Sequence, residues 1–137
     1  MNDNMRRLRE LSEKLGPMPG ESCGAETTPA VAAGDAKGTC VFVEPNVSVL
    51  VWSISGGTDY QAHKHAEAEW VVVYRGEARI GAEMDLGNRL ARDENGRYIL
   101  KVGDFLYIPA NVAHEGFFPE NTEAITVHVP RSTDYTP

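Results

Sequence analysis

The feature that most constrains this chain is a cluster of two histidines and one glutamate, framed by glycines. Between residues 57 and 76 the sequence reads Gly-x5-His-x-His-x3-Glu-x6-Gly, which brings His63, His65 and Glu69 close together. Side chains alternate between the two faces of a strand, so His63 and His65 project to the same side of a sheet. Two converging imidazoles with a carboxylate nearby are typical ligands of a transition metal.

Glu69 opens a run that favours a second strand beside the histidines. Residues 70–74 are β-branched or aromatic, and the small or polar residues 66–68 suit a tight turn. Glu69 can therefore face the same pocket as the histidines, across a hairpin. Glu67 is the competing carboxylate, but it fits the spacing less well, and we expect it to be a solvated charge in the turn.

A second stretch, Gly-x5-Pro-x4-His, supplies a third imidazole. It runs from Gly103 through Pro109 to His114. Residues 104–108 favour a strand that Pro109 ends, because proline cannot donate to a strand ladder. The three histidines and Glu69 together form a plausible ligand set for one divalent ion.

The two stretches together resemble the two-part signature of the cupin superfamily, over roughly residues 47–130. The resemblance implies an all-β fold, a double-stranded β-helix of the jelly-roll type, whose interior holds a metal. The implied cofactor is one divalent transition metal ion. Its identity (Fe, Mn, Ni, Zn, Co or Cu) stays open, because many first-row ions bind such nitrogen and oxygen ligands. The implied ligands are His63, His65, Glu69 and His114.

The chain departs from the common cupin pattern at two positions. Asn111 stands where cupins commonly have a glycine, and asparagine also tolerates the left-handed conformation, so we expect the turn to be preserved. Phe118 stands where they often have an asparagine, on the same strand face as His114. Its ring is either an apolar wall of the substrate pocket or ordinary core filling, and both interpretations stay open.

The N-terminal region is predicted to be a helix followed by an irregular arm. Residues 4–15 carry apolar side chains at helical spacing, and Gly16-Pro17 ends the pattern. Residues 16–38 are rich in Gly, Pro, Ala, Thr and Ser, which is typical of irregular structure. We therefore divide the chain into a helix and arm, 1–38, and a barrel domain, 39–137. The helix carries an apolar stripe, which is formed by Met5, Leu8, Leu11 and Leu15. We expect this stripe to dock on the barrel of its own chain or on a second subunit.

Beyond the arm the sequence predicts strands and turns almost throughout. A polar segment, residues 85–96, separates two strands and is predicted to be a long hairpin loop. It either lies over the mouth of the barrel or extends into solvent, and the lack of an aromatic anchor favours solvent. Besides those already described, the predicted strands are residues 41–43, 47–54, 78–82, 98–102 and 124–129.

The last predicted strand raises the question of which way His128 points. Ile125, Val127 and Val129 share one face and are the expected buried set, which leaves His128 outward. The opposite orientation would bring His128 into the cavity as a candidate acid or base. Three residues are candidates for the substrate pocket: Gln61, Phe118 and His128.

Composition limits the classes of protein to which the chain can belong. Its 137 residues predict one domain, and 42% hydrophobic with 24% charged residues is ordinary for a globular protein. A formal charge of −7 without a basic stripe argues against nucleic acid as a partner. No apolar stretch suggests a membrane span or a signal peptide, so we expect a cytoplasmic protein. Cys23 and Cys40 are expected to be reduced thiols.

Two classes of function fit these observations. The resemblance implies, first, a metal-dependent enzyme acting on a small chelating or enolisable molecule, most often an oxidoreductase of the dioxygenase type, with isomerases, decarboxylases and lyases as alternatives. The second class is a non-catalytic cupin that binds a small ligand or metal as a sensor or carrier. We also expect a homodimer, because an apolar strand such as residues 47–54 would need its edges covered.

Overall fold

The structure is a computed structural model that describes residues 2–16 and 31–130. These residues form one helix and ten strands. The elements are α1 (Asp3–Ser12), β1 (Ala32–Ala33), β2 (Ala36–Glu44), β3 (Val47–Ile54), β4 (Thr58–His63), β5 (Ala68–Arg75), β6 (Ala78–Ala82), β7 (Tyr98–Leu100), β8 (Phe105–Ile108), β9 (His114–Phe118) and β10 (Thr122–Val129).

The strands form two five-stranded antiparallel sheets with their inner faces toward a common core. One sheet has the order β1-β4-β9-β6-β7, and the other has the order β2-β3-β10-β5-β8. Most neighbours in a sheet are distant in sequence, as expected where strands alternate between the two halves of a jelly roll. The predicted all-β jelly-roll barrel is confirmed. The homodimer was expected because the strand of residues 47–54 would have edges to cover. This strand is β3, which lies between β2 and β10 and has no open edge, so that reason was wrong.

The orientation predicted for the last strand was also wrong. Along β10 the buried residues include Ala124, Thr126 and His128, whereas Ile125 and Val127 are only partly buried. The prediction assumed that the more apolar face of a strand meets the core. Here the inner face carries polar side chains toward the metal-ligand cluster, and the apolar face points out of the barrel.

The N-terminal helix docks on the barrel of its own chain, one of the two predicted alternatives. Met5 and Leu8 are buried, and the side chain of Asn2 caps the helix by accepting a hydrogen bond from the backbone nitrogen of Met5 at 2.7 Å. Lys64 Nζ donates to the carbonyl oxygen of Ser12 at 2.8 Å and so satisfies the other end. β1 and the start of β2 fall inside the arm that was predicted to be irregular; residues 17–30 of that arm lie outside the described residues.

The loop between β6 and β7 is anchored to the barrel and does not hang in solvent as predicted. Tyr98, buried at the start of β7, accepts hydrogen bonds at its hydroxyl from Leu86 N at 2.9 Å and Arg92 Nη2 at 2.6 Å. Leu86 and Leu90 pack partly buried against the core. Tyr98 is therefore an aromatic anchor of this loop. It was missed because it lies two residues after the segment 85–96.

The cysteine prediction needs correction as well. Cys40 is disulfide-bonded, which contradicts the expectation of reduced thiols, while Cys23 lies outside the described residues. Disulfides are typical of oxidising compartments, so this bond does not support the expected cytoplasmic location. In the described part of the chain, no helix has the length and apolar character needed to cross a membrane.

Candidate metal centre

The four predicted ligands converge inside the barrel. His63 ends β4, Glu69 lies near the start of β5, His114 begins β9, and His65 lies in the connection between β4 and β5. All four side chains are buried. The sheets bring them together because His63 pairs with His114 across β4 and β9, while β5 belongs to the opposite sheet.

Each of the three imidazoles is oriented by a backbone carbonyl two residues away. The Nδ1 atoms of His63, His65 and His114 lie 2.7, 2.8 and 2.8 Å from carbonyl oxygens of Gln61, Glu67 and Val112. A carbonyl oxygen only accepts hydrogen bonds, so each Nδ1 carries the proton. The Nε2 atoms are therefore the atoms that could coordinate a metal. The Nδ1 contact with a backbone carbonyl is the one usual for metal-binding histidines.

Glu69 is the anionic centre of the cluster. Its Oε1 lies 2.9 Å from His114 Nε2 and 3.3 Å from His65 Nε2. Burial by itself raises the pKa of the Glu69 carboxyl, but hydrogen bonds from His114, His128 and His65 together outweigh burial and hold the pKa well below its ordinary value. Glu69 is therefore a buried carboxylate, which stabilises a cation beside it.

This donor set fits a divalent transition metal. His63, His65 and His114 offer nitrogen atoms within 4.8 Å of one another, and so do the ligand atoms of His65, Glu69 and His128. Because each Nδ1 carries the ring proton, the Nε2 atom of a neutral imidazole has only a lone pair. Such an atom would repel the oxygens of the Glu69 carboxylate unless Nε2 is protonated as well or a cation lies between them. Imidazole and carboxylate are the ligands that Fe, Mn, Ni, Zn, Co and Cu accept.

His128 also lies in this cluster, although the sequence predicted that its side chain points outward. It is fully buried, its Nε2 lies 3.3 Å from Glu69 Oε2, and it pairs directly with Glu69 across β10 and β5. His65 and His114 contact one oxygen of Glu69, and His128 contacts the other. This arrangement holds the carboxylate from both sides.

Glu67 is buried, so the prediction of a solvated charge was wrong. Its carboxylate oxygen Oε2 lies 3.6 Å from His65 Nδ1, on the side of the ring away from Glu69. That placement favours Glu69 as the metal ligand. Glu67 instead supports the orientation of His65.

A cavity adjoins one side of the cluster. Its volume is about 60 Å³, which at the liquid volume of about 30 Å³ per water corresponds to roughly two water molecules. His63, Glu69 and His114 form its polar end. The remaining wall is mostly apolar or aromatic, and includes Trp52, Ile54, Tyr60, Val71, Ile80, Ile108, Phe118, Ala124 and Thr126.

Of the three candidates for the substrate pocket, Phe118 lines this cavity, whereas Gln61 and His128 do not. Gln61 is exposed, because the pairing of β4 with β9 shifts register between Tyr60 and His63. This irregularity reverses the alternation, so Tyr60 faces inward instead. Tyr60 and Trp52 were missed as pocket residues. The alternation from Trp52 to Ile54 on β3 could have indicated Trp52.

Two aromatic contacts order the apolar wall. The ring of Tyr60 meets Trp52 edge-on at 6.4 Å and Phe118 at 5.9 Å between centroids. Trp52 Nε1 donates to Thr126 Oγ1 at 2.8 Å, which satisfies the buried indole. Three rings therefore hold one another in place beside the metal ligands.

Exchanging the two glutamates for glutamine distinguishes their roles. We expect Glu67→Gln to weaken metal binding by at most the roughly 10- to 100-fold typical of losing a ligand's supporting partner, and Glu69→Gln to weaken it by more. Competition titration against a chelator of known affinity measures both variants. Strong loss in Glu67→Gln with full binding in Glu69→Gln would reverse the assignment of the carboxylate ligand.

Comparisons with solved structures agree with the fold. Solved structures with the same fold include an RmlC-like cupin from Shewanella frigidimarina, at 18% identity and a TM-score of 0.62, covering 74% of this chain and 82% of that one. KdgF from a Halomonas species has 18% identity and a TM-score of 0.61, with coverages of 72% and 83%. A putative mannose-6-phosphate isomerase from Ralstonia eutropha has 21% identity and a TM-score of 0.58, with coverages of 72% and 87%.

Sequence comparison gives the family directly. The search of curated proteins finds no significant match. The profile of the family described as "Cupin domain" matches residues 50–130, more than half of the chain and the whole predicted ligand set. The chain therefore belongs to the cupin family.

Proposed function

We propose that this protein is a metal-dependent enzyme that acts on a small chelating or enolisable molecule, as an oxidoreductase of the dioxygenase type. The observation that carries the proposal is the cavity beside the ligand cluster, since three of the four predicted ligands form its polar end. A purely structural metal site would be closed by protein ligands. Here a cavity lies open next to the predicted metal ligands.

The residues present would hold the metal and prepare the site for a substrate. The three Nε2 atoms and the Glu69 carboxylate would hold the ion, and the adjoining cavity would admit substrate oxygens beside it. When bound, a divalent ion would supply a Lewis acid that stabilises the deprotonated form of an enol or phenol. His128 holds Glu69 from the side away from the other imidazoles and acts as a positioning residue.

The wall of the cavity favours a small, largely apolar substrate. Trp52, Tyr60 and Phe118 make the wall of the space beside the ligands apolar, and their rings can pack against a planar molecule. Glu69 and Glu115 are the charged residues among those that line the cavity, and neither is a cation. A phosphorylated sugar, such as the name of the Ralstonia structure indicates, would find no arginine or lysine among these lining residues.

Oxygen uptake tests the proposal. Metal-free protein would be reconstituted with Fe(II), Mn(II), Ni(II) or Co(II) and incubated with 1,3-diketones, catechols and flavonols. We expect turnover of a small diketone or catechol with at least one ion, together with a change in the metal spectrum. Anaerobic incubations that give product would indicate isomerase, decarboxylase or lyase chemistry instead. Tight ligand binding without turnover, with any of the ions, would favour a sensor or carrier.

The size of the accepted substrate should depend on Phe118. We expect Phe118→Ala to enlarge the cavity and to shift the preference from small diketones and catechols toward larger flavonols. Phe117→Ala is the matched control, since Phe117 is the partly exposed neighbour on the other face of β9. Relative kcat/KM for a small and a large substrate measures the shift. An equal change in both variants would contradict the assignment of Phe118 to the substrate wall.

A further inference from the structure

The helix α1 lies behind the candidate metal centre, on the outer face of the sheet β1-β4-β9-β6-β7. It packs against β4 and β6, the two strands that flank β9. Met5 and Leu8 are the apolar side chains that it buries there. The predicted ligands His63 and His114 line the cavity on the inner side of the same sheet. The helix and these ligands are therefore separated by the thickness of one sheet.

Lys64 connects the helix to two of the predicted ligands. It stands between His63 and His65, so one peptide bond joins it to each of them. Its Nζ donates to the carbonyl oxygen of Ser12 at 2.8 Å and lies 3.5 Å from Ser12 Oγ. Ser12 is buried and Lys64 is half-buried, which limits the access of water to this contact. An ammonium group at the C-terminal end of a helix also interacts favourably with the helix dipole.

Glu115 connects the helix to the third imidazole. It follows His114 directly, and its carboxylate pairs with Arg7 of α1 and, at 3.3 Å, with Arg97. Only 7% of Glu115 is exposed, and a buried carboxylate is costly without a cation beside it. Arg7 therefore helps to hold Glu115, and with it the backbone beside His114, in place.

The alternation of side chains explains why the helix contacts the neighbours of the ligands. Successive residues on a strand point to opposite faces, so the Glu115 carboxylate extends toward α1 where His114 faces the cluster. The same relation holds for Lys64 beside His63. The peptide unit between two such neighbours is planar and rigid, so a movement of the outer residue also moves the imidazole.

Gly81 is independent evidence that the barrel is shaped to receive the helix. It pairs with Glu115 across β6 and β9, and the next residue, Ala82, pairs with His114. A Cβ atom on Gly81 would lie 2.2 Å from Asn4 Nδ2 of α1 and 3.3 Å from Glu115 Oε1. Any side chain at this position would displace the helix. Glycine thus lets α1 approach the sheet closely behind the ligand cluster.

We propose that α1 is a clamp that positions the three histidine ligands from behind the sheet, with Lys64, Arg7 and Glu115 as positioning residues. The proposal rests on the metal site of the proposed function and adds a coupling between the helix and the metal. Docking of α1 favours the ligand geometry that binds a metal, and a bound metal favours the docked helix. Such coupling is reciprocal, so each event strengthens the other by the same factor.

Hydrogen exchange of the natural sequence, followed by mass spectrometry, tests the coupling without any substitution. Saturating Mn(II) should slow exchange of the α1 amides by at least about 5-fold, the lower end of the usual range for coupled sites. Exchange in β2, at the edge of the other sheet, is the internal reference and should slow less.

The exchange measurement separates failure of the clamp from failure of the metal site. Binding of Mn(II) with no change in α1, or with equal slowing in α1 and β2, would overturn the clamp and leave the metal centre in place. Failure of the natural sequence to bind Mn(II) would overturn the metal centre, and the clamp with it.

Substitution of the two cations tests the positioning residues. The combined variant Arg7→Gln with Lys64→Met should raise the Kd for Mn(II) by at least about 5-fold. It should also change the visible spectrum of bound Co(II) at saturation, because the imidazoles are less well oriented. Charge alone acts in the opposite direction, since losing two positive charges favours a cation. Lys64→Arg keeps a cation within reach of Ser12 and should retain the natural spectrum.

Arg6→Gln with Lys101→Met is the matched control, because it removes the same two kinds of cation from exposed positions. It should retain the natural Kd and Co(II) spectrum, and circular dichroism should show that all variants are folded. A folded Arg7→Gln with Lys64→Met variant that keeps the natural Kd and spectrum would overturn the proposal. So would an equal loss of affinity in the control.

Discussion

Replacing His65 by alanine is expected to abolish tight binding of a divalent metal. His65 belongs to both groups of converging ligand atoms, with His63 and His114 on one side and with Glu69 and His128 on the other. Its loss removes a ligand from each group, so we expect affinity to fall by more than the roughly 100-fold upper range for losing a supporting partner. Isothermal titration with Mn(II) or Co(II) measures the effect directly.

Gln61→Ala is the control for this substitution. Gln61 lies two residues before His63, but its side chain is exposed and only its backbone carbonyl contacts His63. The variant should bind metal as the natural sequence does. Unchanged metal affinity in a folded His65→Ala variant would contradict the assigned site.

Gly76→Ala is expected to destabilise the fold strongly. Gly76 has a φ of 86°, and a Cβ atom there would lie 2.4 Å from the backbone oxygen of Asn121 and 2.6 Å from Thr122 Oγ1. The left-handed conformation costs roughly 1–2 kcal/mol for a residue with a side chain, and overpacking adds roughly 1–3 kcal/mol. Urea denaturation should therefore show a free energy of unfolding lower by about 2–5 kcal/mol.

Gly57→Ala separates the two contributions. Gly57 has nearly the same φ, 88°, but a Cβ atom at this position would meet no atom within 4 Å. It should show only the conformational cost, roughly 1–2 kcal/mol. Equal losses of stability in the two variants would show that the contact with Asn121 has no energetic effect.

Much of the site could be predicted because it depends on local spacing. The interval from His63 to His65 sets their common direction, and Asn111 adopts the predicted left-handed conformation, with a φ of 60°. Gly57 and Gly76 likewise have the positive φ that the turns at the strand ends require. Such features depend on a few neighbouring residues, which the sequence displays directly.

The predictions of side-chain orientation were wrong where the orientation depends on pairing with neighbouring strands. The register shift between Tyr60 and His63 depends on the pairing of β4 with β9, and it turned Gln61 outward. His128 was misoriented because the strand β10 has polar residues inside and apolar residues outside, the reverse of the usual pattern.

Glu67 illustrates a further limit of sequence reasoning. A charged residue between two alanines in a turn is normally exposed, yet Glu67 is buried beside His65. Burial of this kind depends on what the neighbouring strands leave room for. Spacing within one segment does not contain that information.

Anomalous diffraction from crystals loaded with Mn(II), Co(II) or Zn(II) would locate the bound ion. We expect one strong anomalous peak per chain, at about 2.0–2.2 Å from the Nε2 atoms of His63, His65 and His114 and from an oxygen of Glu69. Data collected on both sides of the absorption edge would identify the ion. A peak at any other position, or a cluster that binds no ion at saturating metal, would contradict the assignment of these four residues as metal ligands.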